Sequence, residues 1–487
     1  MRATNYLGGC PMRTSQISTA DTTARSAVAE LTASIEERRR ARGPVADLEA
    51  FERELRERFR AAEAEVMGEE LGRFDIDAPA VDIDGVLHRR VLRSSQTYMT
   101  AAGPVSVERT LYSTRQDGER AVPALDLRAG IVEGYFTPLA AQHAAWAVAH
   151  LTPGESETMF ERLGAMTPSK SSLDRLPKAL SALWEADRAD FERRLRAGEK
   201  LPKAAHTVGV SLDGVLLPMK DGAREEKRAR TRATGHLAKG PAGYSEAGCG
   251  TLTLYDRQGE PLRTVRLGRM PESGKITVKE QIATELDAML AQRPDLRVVT
   301  VADGAHDNWA FLGRLPGGRS EAQVVDFWHA AEYLHGGMAA VYGEASTKCR
   351  AEFEKYRHIL RHDDDGVQKV IRHLRYLKEK HPRRKKLGEA LTYFRHHRHR
   401  MRYAQLARRH MPIGSGIVEA ACKTLVTQRL KRSGMRWRHA GGQAVLTLRA
   451  LEQSGRFDRA WQLLRAAYRR DVQLPVNVVD IRSRKPS

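Results

Sequence analysis

The sequence predicts an α/β protein of several domains, and two observations support that prediction. A chain of 487 residues is too long for one compact core of usual size, so two to four structural units are expected. Short segments rich in β-branched residues cluster between Pro202 and Phe327, whereas the stretches before and after them show the apolar spacing of helices. We therefore expect a modular chain that combines an α/β core with helical regions.

The charge balance indicates a polyanionic partner. Lys and Arg number 81 against 61 Asp and Glu, which gives a net charge of +20 and an isoelectric point near 9.9. Nucleic acid is therefore the first candidate. No apolar run approaches the roughly 18 to 20 residues that span a bilayer, and no signal-peptide pattern opens the chain. We expect a soluble, intracellular protein with no membrane partner.

Residues 1–95 are expected to form a helical N-terminal arm. Apolar positions recur every three or four residues between Asp47 and Gly72 amid alternating Glu and Arg, which predicts an amphipathic helix. A similar but weaker pattern runs from Arg25 to Arg42, and Gly43-Pro44 separates the two segments. A helical hairpin and a dimerisation arm both fit this pair of helices.

Residues 96–135 are expected to form a small β element. Alternating β-branched positions follow Pro104, a turn is expected at Gln116-Asp117-Gly118, and a second strand-like segment covers Ala121–Leu127. The stretch Gly103–Gly130 contains no cysteine, so a zinc-supported DNA-binding role is not expected there.

Residues 136–200 are expected to be helical from Pro138 onwards. Two short helices, Glu155–Leu163 and Ser169–Leu183, follow Thr152-Pro153-Gly154. Their tight connection is compatible with helix-turn-helix DNA binding. An ordinary helical linker that packs on the core explains the pattern equally well, because no base-reading residue can be named.

Residues 201–345 have the element order of an α/β core. Four short β-rich segments are expected to be strands, namely Thr207–Leu217, Gly250–Tyr255, Pro261–Leu267 and Leu296–Ala302. A hairpin turn at Asp256–Glu260 joins the second strand to the third, and a helix over Thr277–Gln292 precedes the fourth. This order is found in the RNase H-like fold, although other α/β domains also contain it. Gln323–Phe327 is expected to be a short fifth strand.

A basic helical insertion is expected at residues 346–411. The whole stretch His329–Met411 is compatible with helix, and Arg375–His410 contains thirteen Lys or Arg and five His against two Glu. An insertion that lies along DNA would explain this charge, and a solvated helical surface is the alternative. Residues 412–455 are expected to return to the core, and residues 456–487 to form a C-terminal tail.

Two aspartates stand in matching positions. Asp213 follows one alternating β-rich segment and Asp303 follows another, and each precedes a glycine. In an RNase H-like sheet the first and fourth strands are neighbours, so the two carboxylates could meet and would repel each other without a cation between them. Either Asp-Gly pair alone could simply mark a turn after a strand.

Glu419 is the candidate third carboxylate. Gly414-Ser415-Gly416 is expected to open a helix with Ser415 as the N-cap, so that Glu419 lies in or near the first turn beside the apolar side of that helix. This position could direct its carboxylate at the sheet. Without the two aspartates, Glu419 would be interpreted as a first-turn residue that complements the helix dipole.

Three such carboxylates suit metal-dependent phosphodiester chemistry. Two hard cations about 3.5 to 4 Å apart can activate the attacking oxygen and stabilise the leaving one. Carboxylate oxygens are the ligands that Mg²⁺ and Mn²⁺ prefer. We expect two such ions per active site, with Asp213 bridging both, Asp303 holding one and Glu419 the other.

Five short motifs strengthen this interpretation as a set. They are SLDG at Asp213, EAGCGTLTLYD from Glu246, ADGAHDNW at Asp303, DFWH at Asp326 and GSGIVEAACK around Glu419. In this order they resemble the insertion-sequence DDE transposases of the Kra group, which are similar to the wider Mutator-like superfamily. The similarity runs from about Pro138 to Leu451. The superfamily's signature of Cys or Asp, two residues and then His is matched by Asp326 and His329.

The resemblance implies an RNase H-like catalytic core, an all-helical insertion before the glutamate, and metal-dependent DNA cleavage followed by strand transfer. It implies double-stranded DNA as the partner, both transposon terminal repeats and target DNA, and a homo-oligomer as the active form. The location would be the bacterial cytoplasm, with nucleoid association when DNA is bound. His329 becomes a further catalytic candidate, and a packed structural histidine is its alternative.

Several neighbouring residues have weaker expectations. Trp309 and Trp328 could stack on an unpaired base near the cut, although core packing is the favoured expectation for both. His306 and Asp307 could support the second aspartate. The stretch Arg224–Lys239, with six Lys or Arg against two Glu, is expected to be a mobile loop that either orders on phosphates or stays solvated.

Two other functions fit the same residues. One is a metal-dependent nuclease of the same fold, which would cleave DNA without joining it. The other is a DNA-binding protein without catalysis, in which the carboxylates are surface features. The four cysteines lie far apart with no CxxC pair, so neither a zinc ribbon nor a disulfide framework is predicted.

Overall fold

The computed structural model describes residues 26–114, 120–220, 224–236, 243–315 and 320–475. The chain divides into two compact units, residues 1–70 and residues 71–487. Two five-stranded sheets and many helices confirm the prediction of an α/β protein of several parts. In the described ranges, no helix combines the length and the apolar character that crossing a membrane requires.

The smaller unit contains two helices. They are α1 (Ala27–Arg40) and α2 (Leu48–Phe74), and α2 continues past the end of the unit. The Ser26 side chain caps the start of α1, and the Glu65 carboxylate on α2 accepts a hydrogen bond from the Ala27 N–H. Both predicted helices are confirmed, and the Glu65 contact joins them as a hairpin.

The larger unit opens with four strands, two of them long, and a run of helices. These elements are β1 (Ala80–Ile83), β2 (Val86–Thr100), β3 (Gly103–Ser113), β4 (Val122–Pro123), α3 (Ala124–Ala129), α4 (Pro138–His150), α5 (Pro153–Leu163), α6 (Lys170–Ala186) and α7 (Arg188–Ala197). The helices expected after Pro138 are confirmed. A capping box formed by Thr152 and Glu155 fixes the start of α5, which is the helix signal that the sequence carries at that point.

The second group of elements alternates strands with helices. It comprises β5 (Thr207–Pro218), α8 (Arg224–Thr234), β6 (Tyr244–Tyr255), β7 (Pro261–Arg269), a 3₁₀ turn (Ser273–Lys275), α9 (Ile276–Gln292), β8 (Arg297–Ala302), α10 (His306–Leu312) and β9 (Ser320–Val325). All five predicted strands and the helix are confirmed. The fifth strand ends at Val325, before the predicted end at Phe327, because Asp326 caps the helix that follows.

From residue 327 to residue 475 the described chain is helical apart from one short strand and the connecting segments. Its elements are α11 (Phe327–Tyr342), α12 (Thr347–His362), α13 (Gly366–Lys380), α14 (Lys385–His397), a 3₁₀ turn (Arg398–Arg400), α15 (Tyr403–Arg408), α16 (Gly416–Ala421), a π-helical turn (Cys422–Thr427), α17 (Gln428–Leu430), α18 (His439–Gln453), α19 (Phe457–Tyr468) and β10 (Val472–Gln473). The helical block between β9 and α16 is therefore as predicted. The expected tail, in contrast, contains α19 and β10.

The first sheet has the order β10-β1-β2-β3-β4 and is antiparallel throughout. Its strands begin at Ala80, inside the stretch that was expected to be a helical arm. Much of β2 is exposed, so it lacks the apolar alternation by which a strand is recognised. Its long hydrogen-bonded ladder with β3 defines it instead.

A second correction concerns Ala121–Leu127, which was expected to be a strand. Only Val122–Pro123 pairs with β3, and the chain then turns into α3. Gly130 ends that helix in the left-handed region at φ 70°. The expected turn at Gln116-Asp117-Gly118 lies outside the described residues.

The second sheet has the order β7-β6-β5-β8-β9. Strands β5, β6 and β7 pair antiparallel, whereas β8 pairs parallel with β5 and β9 pairs parallel with β8. The Asp256 carboxylate closes the predicted hairpin between β6 and β7 by accepting from the N–H groups of Gln258 and Glu260, each at 2.9 Å. Strand β5 is therefore central, with an antiparallel neighbour on one side and a parallel one on the other.

Helices cover both faces of this sheet. A Cβ added at Gly248 or Gly250 of β6 would meet side chains of α9. Cys249, which points to the opposite face, instead joins a buried cluster with residues of the Cys422–Leu430 segment and α18. The helix that follows Ser415 is thereby packed against the central part of the sheet.

Candidate active site

Asp213 and Asp303 lie at the same edge of the second sheet. The parallel ladder pairs Val210 of β5 with Thr300 of β8, and each aspartate stands three residues further along its strand. Since parallel neighbours run in the same direction, both aspartates come just beyond the end of that ladder. Strand β5 continues past Asp213 to Pro218 alongside β6, close to the predicted end at Leu217, so Asp213-Gly214 does not mark a turn after the strand.

The pKa of Asp213 indicates that the Asp213 and Asp303 carboxylates interact electrostatically. Burial raises the pKa of Asp213, and the Asp303 carboxylate raises it further. The Gly214 N–H, which donates to Asp213 at 2.7 Å, opposes this rise, as do the Cys422 thiol and Lys275. Like charges that are close and partly buried favour a proton or a cation between them.

The Asp303 carboxylate is held in place by its own loop. Its Oδ1 accepts from the Ala305 N–H at 3.1 Å and from the Asn308 amide at 3.3 Å. The same Asn308 amide donates to the Leu212 carbonyl at 3.1 Å. Because Leu212 precedes Asp213, the buried Asn308 side chain ties the two aspartate positions together.

Trp309 belongs to the core beside this loop. It is 5 % exposed, and its indole N–H donates to the Asp303 carbonyl at 2.6 Å. The Arg400 guanidinium covers the ring at 4.1 Å from its centroid. The expectation of core packing is confirmed for Trp309, whereas Trp328 is 52 % exposed, so core packing is wrong for that residue.

Glu419 lies on α16, the short helix that packs against β5 and β6. It is exposed, and its Oε1 accepts a hydrogen bond from the Ser415 hydroxyl at 2.6 Å. Ser415 therefore does not cap the helix with its side chain, as had been expected, because its hydroxyl is used by Glu419. One turn further on, the Cys422 thiol contacts the Asp213 carboxylate at 3.5 Å.

The helix therefore approaches Asp213 through Cys422 rather than through Glu419. Within the described part of the chain, no three His, Cys, Asp or Glu side chains lie close enough together to form a metal site. The structure thus brings Asp213 and Asp303 together and places Glu419 on an adjacent helix without grouping it with them.

Asp326 connects the end of β9 to the loop before α16. It is fully buried, its Oδ1 accepts from the His329 N–H at 2.6 Å, and its Oδ2 accepts from the Ser415 N–H. The Phe327 N–H donates to the Ile413 carbonyl at 3.0 Å in the same place. The signal for this junction was the DFWH motif, but its bridging role could not be read from the sequence.

His329 is half-buried in the first turn of α11. Its Nδ1 lies 3.8 Å from the Glu332 carboxylate, on the same helix. No hydrogen bond of the described residues joins its ring to Asp213 or Asp303. His306 and Asp307 are almost fully exposed, with side-chain exposures of 98 % and 97 %, and they do not support Asp303.

A cleft of about 1000 Å³ opens beside Asp303. Its walls come from the loop after β8, from α11 and from the basic helix α14, and include Gly304, Trp309, Tyr333, Lys385, Tyr393, His397 and Arg400. Tyr333 and Tyr393 stack with ring centroids 3.9 Å apart. Aromatic faces together with cations are features that suit a nucleic-acid strand.

His397 in this cleft is uncharged at neutral pH. Burial, with help from Arg400, His396 and His399, lowers its pKa to about 4, against a smaller opposing effect of Asp303. Its Nδ1 is buried without a hydrogen-bond partner among the described residues. A Cβ at Gly304 would lie 3.3 Å from its Nε2, so this histidine packs directly on the Asp303 loop.

Two further residues close to Asp213 were not singled out from the sequence. Lys275 lies in the left-handed region at φ 54° and contacts the Glu246 carboxylate at 3.2 Å. Cys422 is buried against Cys249 and Asp213, and its contact with Cys249, burial and the Asp213 carboxylate raise the pKa of its thiol well above the usual range. The motifs that contain Glu246 and Cys422 were the only available signals.

The basic stretch Arg224–Lys239 is also different from the expectation. Residues Arg224–Thr234 form α8 rather than a loop. The segment is rich in Arg, Glu and Ala, which are strong helix formers, and this local preference prevails over the glycine that follows. The remainder of the stretch from residue 237 lies outside the described residues.

Searches against protein-family models and against curated proteins give no match for this chain.

Proposed function

We propose that this chain is a DDE transposase that cleaves DNA at insertion-sequence ends and joins the cut strand to target DNA. The observation that carries the proposal is the juxtaposition of Asp213 and Asp303 at one edge of a mixed sheet. The bacterial cytoplasm, with nucleoid association on DNA, is the corresponding location.

The topology of the second sheet supports an RNase H-like catalytic core. Three antiparallel strands come first, and a helix then leads to a parallel strand beside the first one. The order β7-β6-β5-β8-β9 places the two aspartate-bearing strands next to each other at the centre. A helical block lies between β9 and the helix of Glu419, where the proposal requires an insertion.

Two divalent cations are proposed as the ligands of this edge, with Asp213 and Asp303 as the carboxylates that the structure brings together and Glu419 on the adjacent helix as the third. Asp213 and Asp303 are oxygen donors that repel each other in the absence of a cation. Glu419 is exposed and held by a single hydroxyl, so its carboxylate is free of any ion pair in the described part of the chain. Mg²⁺ or Mn²⁺ held by these three side chains would activate the attacking oxygen and stabilise the leaving one.

The protein's own side chains would then orient the acidic groups. Asn308 fixes the Asp303 carboxylate and bonds to the strand of Asp213. Asp326 holds the loop that presents Ser415, and Ser415 in turn holds Glu419. His329 stands at the same junction through its backbone, where it would act as a positioning residue.

The charge distribution supports double-stranded DNA as the partner. The net charge is +20, and the cleft beside Asp303 is lined by cations of the basic insertion together with stacked tyrosines. Positively charged surfaces of this kind bind the phosphate backbone with a strong dependence on salt. Because transposition joins two element ends, the active form is proposed to be a homo-oligomer.

The test is cleavage and joining of DNA that carries the element's own ends, with Mg²⁺ or Mn²⁺. The variants are Asp213→Asn, Asp303→Asn and Glu419→Gln, which remove one charge each at nearly constant shape. Asp307→Asn is the matched control, because Asp307 is exposed and close in sequence. We expect the three site variants to lose at least about 100-fold in both reactions while they retain DNA binding, and the control to stay active.

A precleaved end separates the alternatives. A wild-type protein that cuts but never joins this substrate would be a nuclease of the same fold. A wild-type protein that binds DNA but never cuts it, or site variants that cut normally, would leave a DNA-binding protein without catalysis at this edge.

A further inference from the structure

A second cavity of about 420 Å³ lies apart from the cleft beside Asp303. Its walls come from the ends of α4 and α5, from α6, and from the segment between α17 and α18. Four cationic side chains line it, namely Lys178, Lys220, Arg429 and Arg436. None of these residues takes part in the site described above.

Arg429 is buried in the wall of this cavity without an acidic partner. Its exposed fraction is 2 %, and no carboxylate of the described residues lies within ion-pair distance. Its Nε has no hydrogen-bond partner there, and its Nη2 reaches only the Val148 carbonyl, at 3.5 Å. The Trp437 ring centroid lies 5.7 Å away. Burying an unpaired ion costs several kcal/mol, so the site favours an anion.

Arg449, a nearby buried arginine, has hydrogen-bond partners for all three of its guanidinium nitrogens. It is 5 % exposed, and its guanidinium donates to the carbonyls of Leu425, Ala149 and Thr424. It does not line the cavity. Arg429, in contrast, lines the cavity, and its buried Nε has no hydrogen-bond partner among the described residues.

The other charged groups around Arg429 do not neutralise it. Burial, with help from Arg449 and Arg432, lowers the pKa of Arg429 to about 10, against a smaller opposing effect of Glu155. Glu155 is itself paired with Arg432. The carboxylate of the cavity wall, Asp174, is paired with Lys178. At neutral pH Arg429 is therefore charged, and the cavity has an excess of positive charge.

We propose that this cavity binds a phosphate group, with the Arg429 guanidinium as the central ligand and Lys220 and Arg436 at its mouth. A guanidinium can donate two parallel hydrogen bonds to one phosphate, which suits a buried position better than an ammonium group would. The phosphate can belong to a DNA backbone or to a free anion. The proposal does not depend on the catalytic role of Asp213.

Calorimetric titration with inorganic phosphate, at constant ionic strength in chloride, tests the site. We expect binding to the wild type, weaker by about tenfold or more in Arg429→Met and by a smaller factor in Lys220→Ala and Arg436→Ala. Lys431→Ala is the control, because Lys431 is exposed on the same segment but does not line the cavity. Lys220 and Arg436 are also exposed, so their variants decide the matter if Arg429→Met fails to fold.

The salt dependence of duplex DNA binding identifies the source of the phosphate. If it is a DNA phosphate, the slope of log affinity against log salt should fall by about one in Arg429→Met or Arg436→Ala, and inorganic phosphate should compete with DNA. If it is a free anion, inorganic phosphate binds and DNA binding is unchanged by the variants. Equal behaviour of the wild type and all three cavity variants in both experiments would overturn the proposal. Loss of cleavage activity in Asp213→Asn has no bearing on either result.

Discussion

Two regions of the larger unit differ in whether their charged side chains have partners of opposite charge. Arg456 is 5 % exposed, and it is held by Glu199 and Glu285 through nitrogen–oxygen distances of 2.7 to 2.9 Å. Asp213 and Asp303, in contrast, are two carboxylates side by side, and neither forms an ion pair with a Lys or Arg in the part of the chain that the structure describes. The first region is balanced by the protein itself, and the second is not.

The paired charges around Arg456 stabilise the fold, whereas the unpaired aspartates remain available to bind a ligand. Unpaired burial is costly, so a fold keeps it where another ion restores the balance. The Arg456 network connects the segment before β5 to α9 and α19 and needs nothing from outside. The Asp213 edge and the Arg429 cavity each carry an excess of one sign of charge, which is the reason for proposing cations at the former and a phosphate at the latter.

The largest loss of stability is expected when Arg456 is removed from its network of buried glutamates. Arg456→Met should lower the free energy of unfolding by about 3 kcal/mol, because Glu199 and Glu285 would lose the cation they share and keep only Arg263 and Arg196, one each. Denaturant unfolding monitored by circular dichroism measures this loss. Arg459→Met is the control, because Arg459 lies in the first turn of α19, just after Arg456, and forms no ion pair among the described residues. A comparable loss there would contradict the special role of the network.

A smaller effect is expected at the junction that holds Glu419. Asp326→Asn replaces one of two acceptor oxygens with a donor that faces an N–H, either that of His329 or that of Ser415. We expect a loss of about 1 to 3 kcal/mol in unfolding free energy, together with weaker DNA cleavage. Unchanged stability would contradict the bridging role of the Asp326 carboxylate.

Asp213→Asn should act in the opposite direction and stabilise the protein by about 0.5 to 2 kcal/mol at neutral pH, while it removes activity. The pKa of Asp213 is raised above 3.8 in the folded state. The wild type therefore loses stability as pH rises from 3.8 through the folded-state pKa, and the amide does not. Thermal unfolding at several pH values should show the advantage of Asn above that range and none below it.

Added Mg²⁺ sharpens this prediction. A cation that binds between the aspartates would raise the unfolding temperature of the wild type more than that of Asp213→Asn. An equal response of the two proteins would contradict the assignment of a cation to this edge.

The smallest effect is expected for an exposed pair. The Arg432 guanidinium and then the capping contacts with Thr152 lower the pKa of Glu155 to about 2, but both side chains of the ion pair are about two-fifths exposed. Solvent screening limits this pair to about 0.2 to 1 kcal/mol. Its contribution is present above pH 4.5 and is lost as pH falls towards 2, so a double-mutant cycle of Glu155→Gln and Arg432→Met should show coupling only at the higher pH.

The predicted second sheet agrees closely with the observed one because its signals are local. Strands β5 to β8, the hairpin at Asp256 and the helix α9 are each defined by residues adjacent in sequence. The same holds for α1, α2 and α5, which have apolar periodicity or capping residues. The aspartates Asp213 and Asp303 could be named because each follows such a segment.

Long-range contacts decided the rest. The contact of Cys422 with Asp213 joins residues 209 positions apart, and the contact of Arg429 with Val148 joins residues 281 positions apart. Strand β2 is defined by its ladder with β3 rather than by its own pattern. No local periodicity encodes such pairings, so the position of Glu419 relative to the aspartates could not be derived in advance.

The sequence by itself therefore determined the strands of the second sheet and the helices with clear local signals, the excess of positive charge, and the positions of Asp213 and Asp303 in β-rich segments or directly after them. These depend on local propensity and composition, which every stretch of chain carries with it. Only the tertiary structure decided which charges are balanced by a neighbour, because burial and partner distance arise when distant segments pack together. That is why Arg456 and Arg429, which are indistinguishable as letters in the sequence, have opposite environments in the fold.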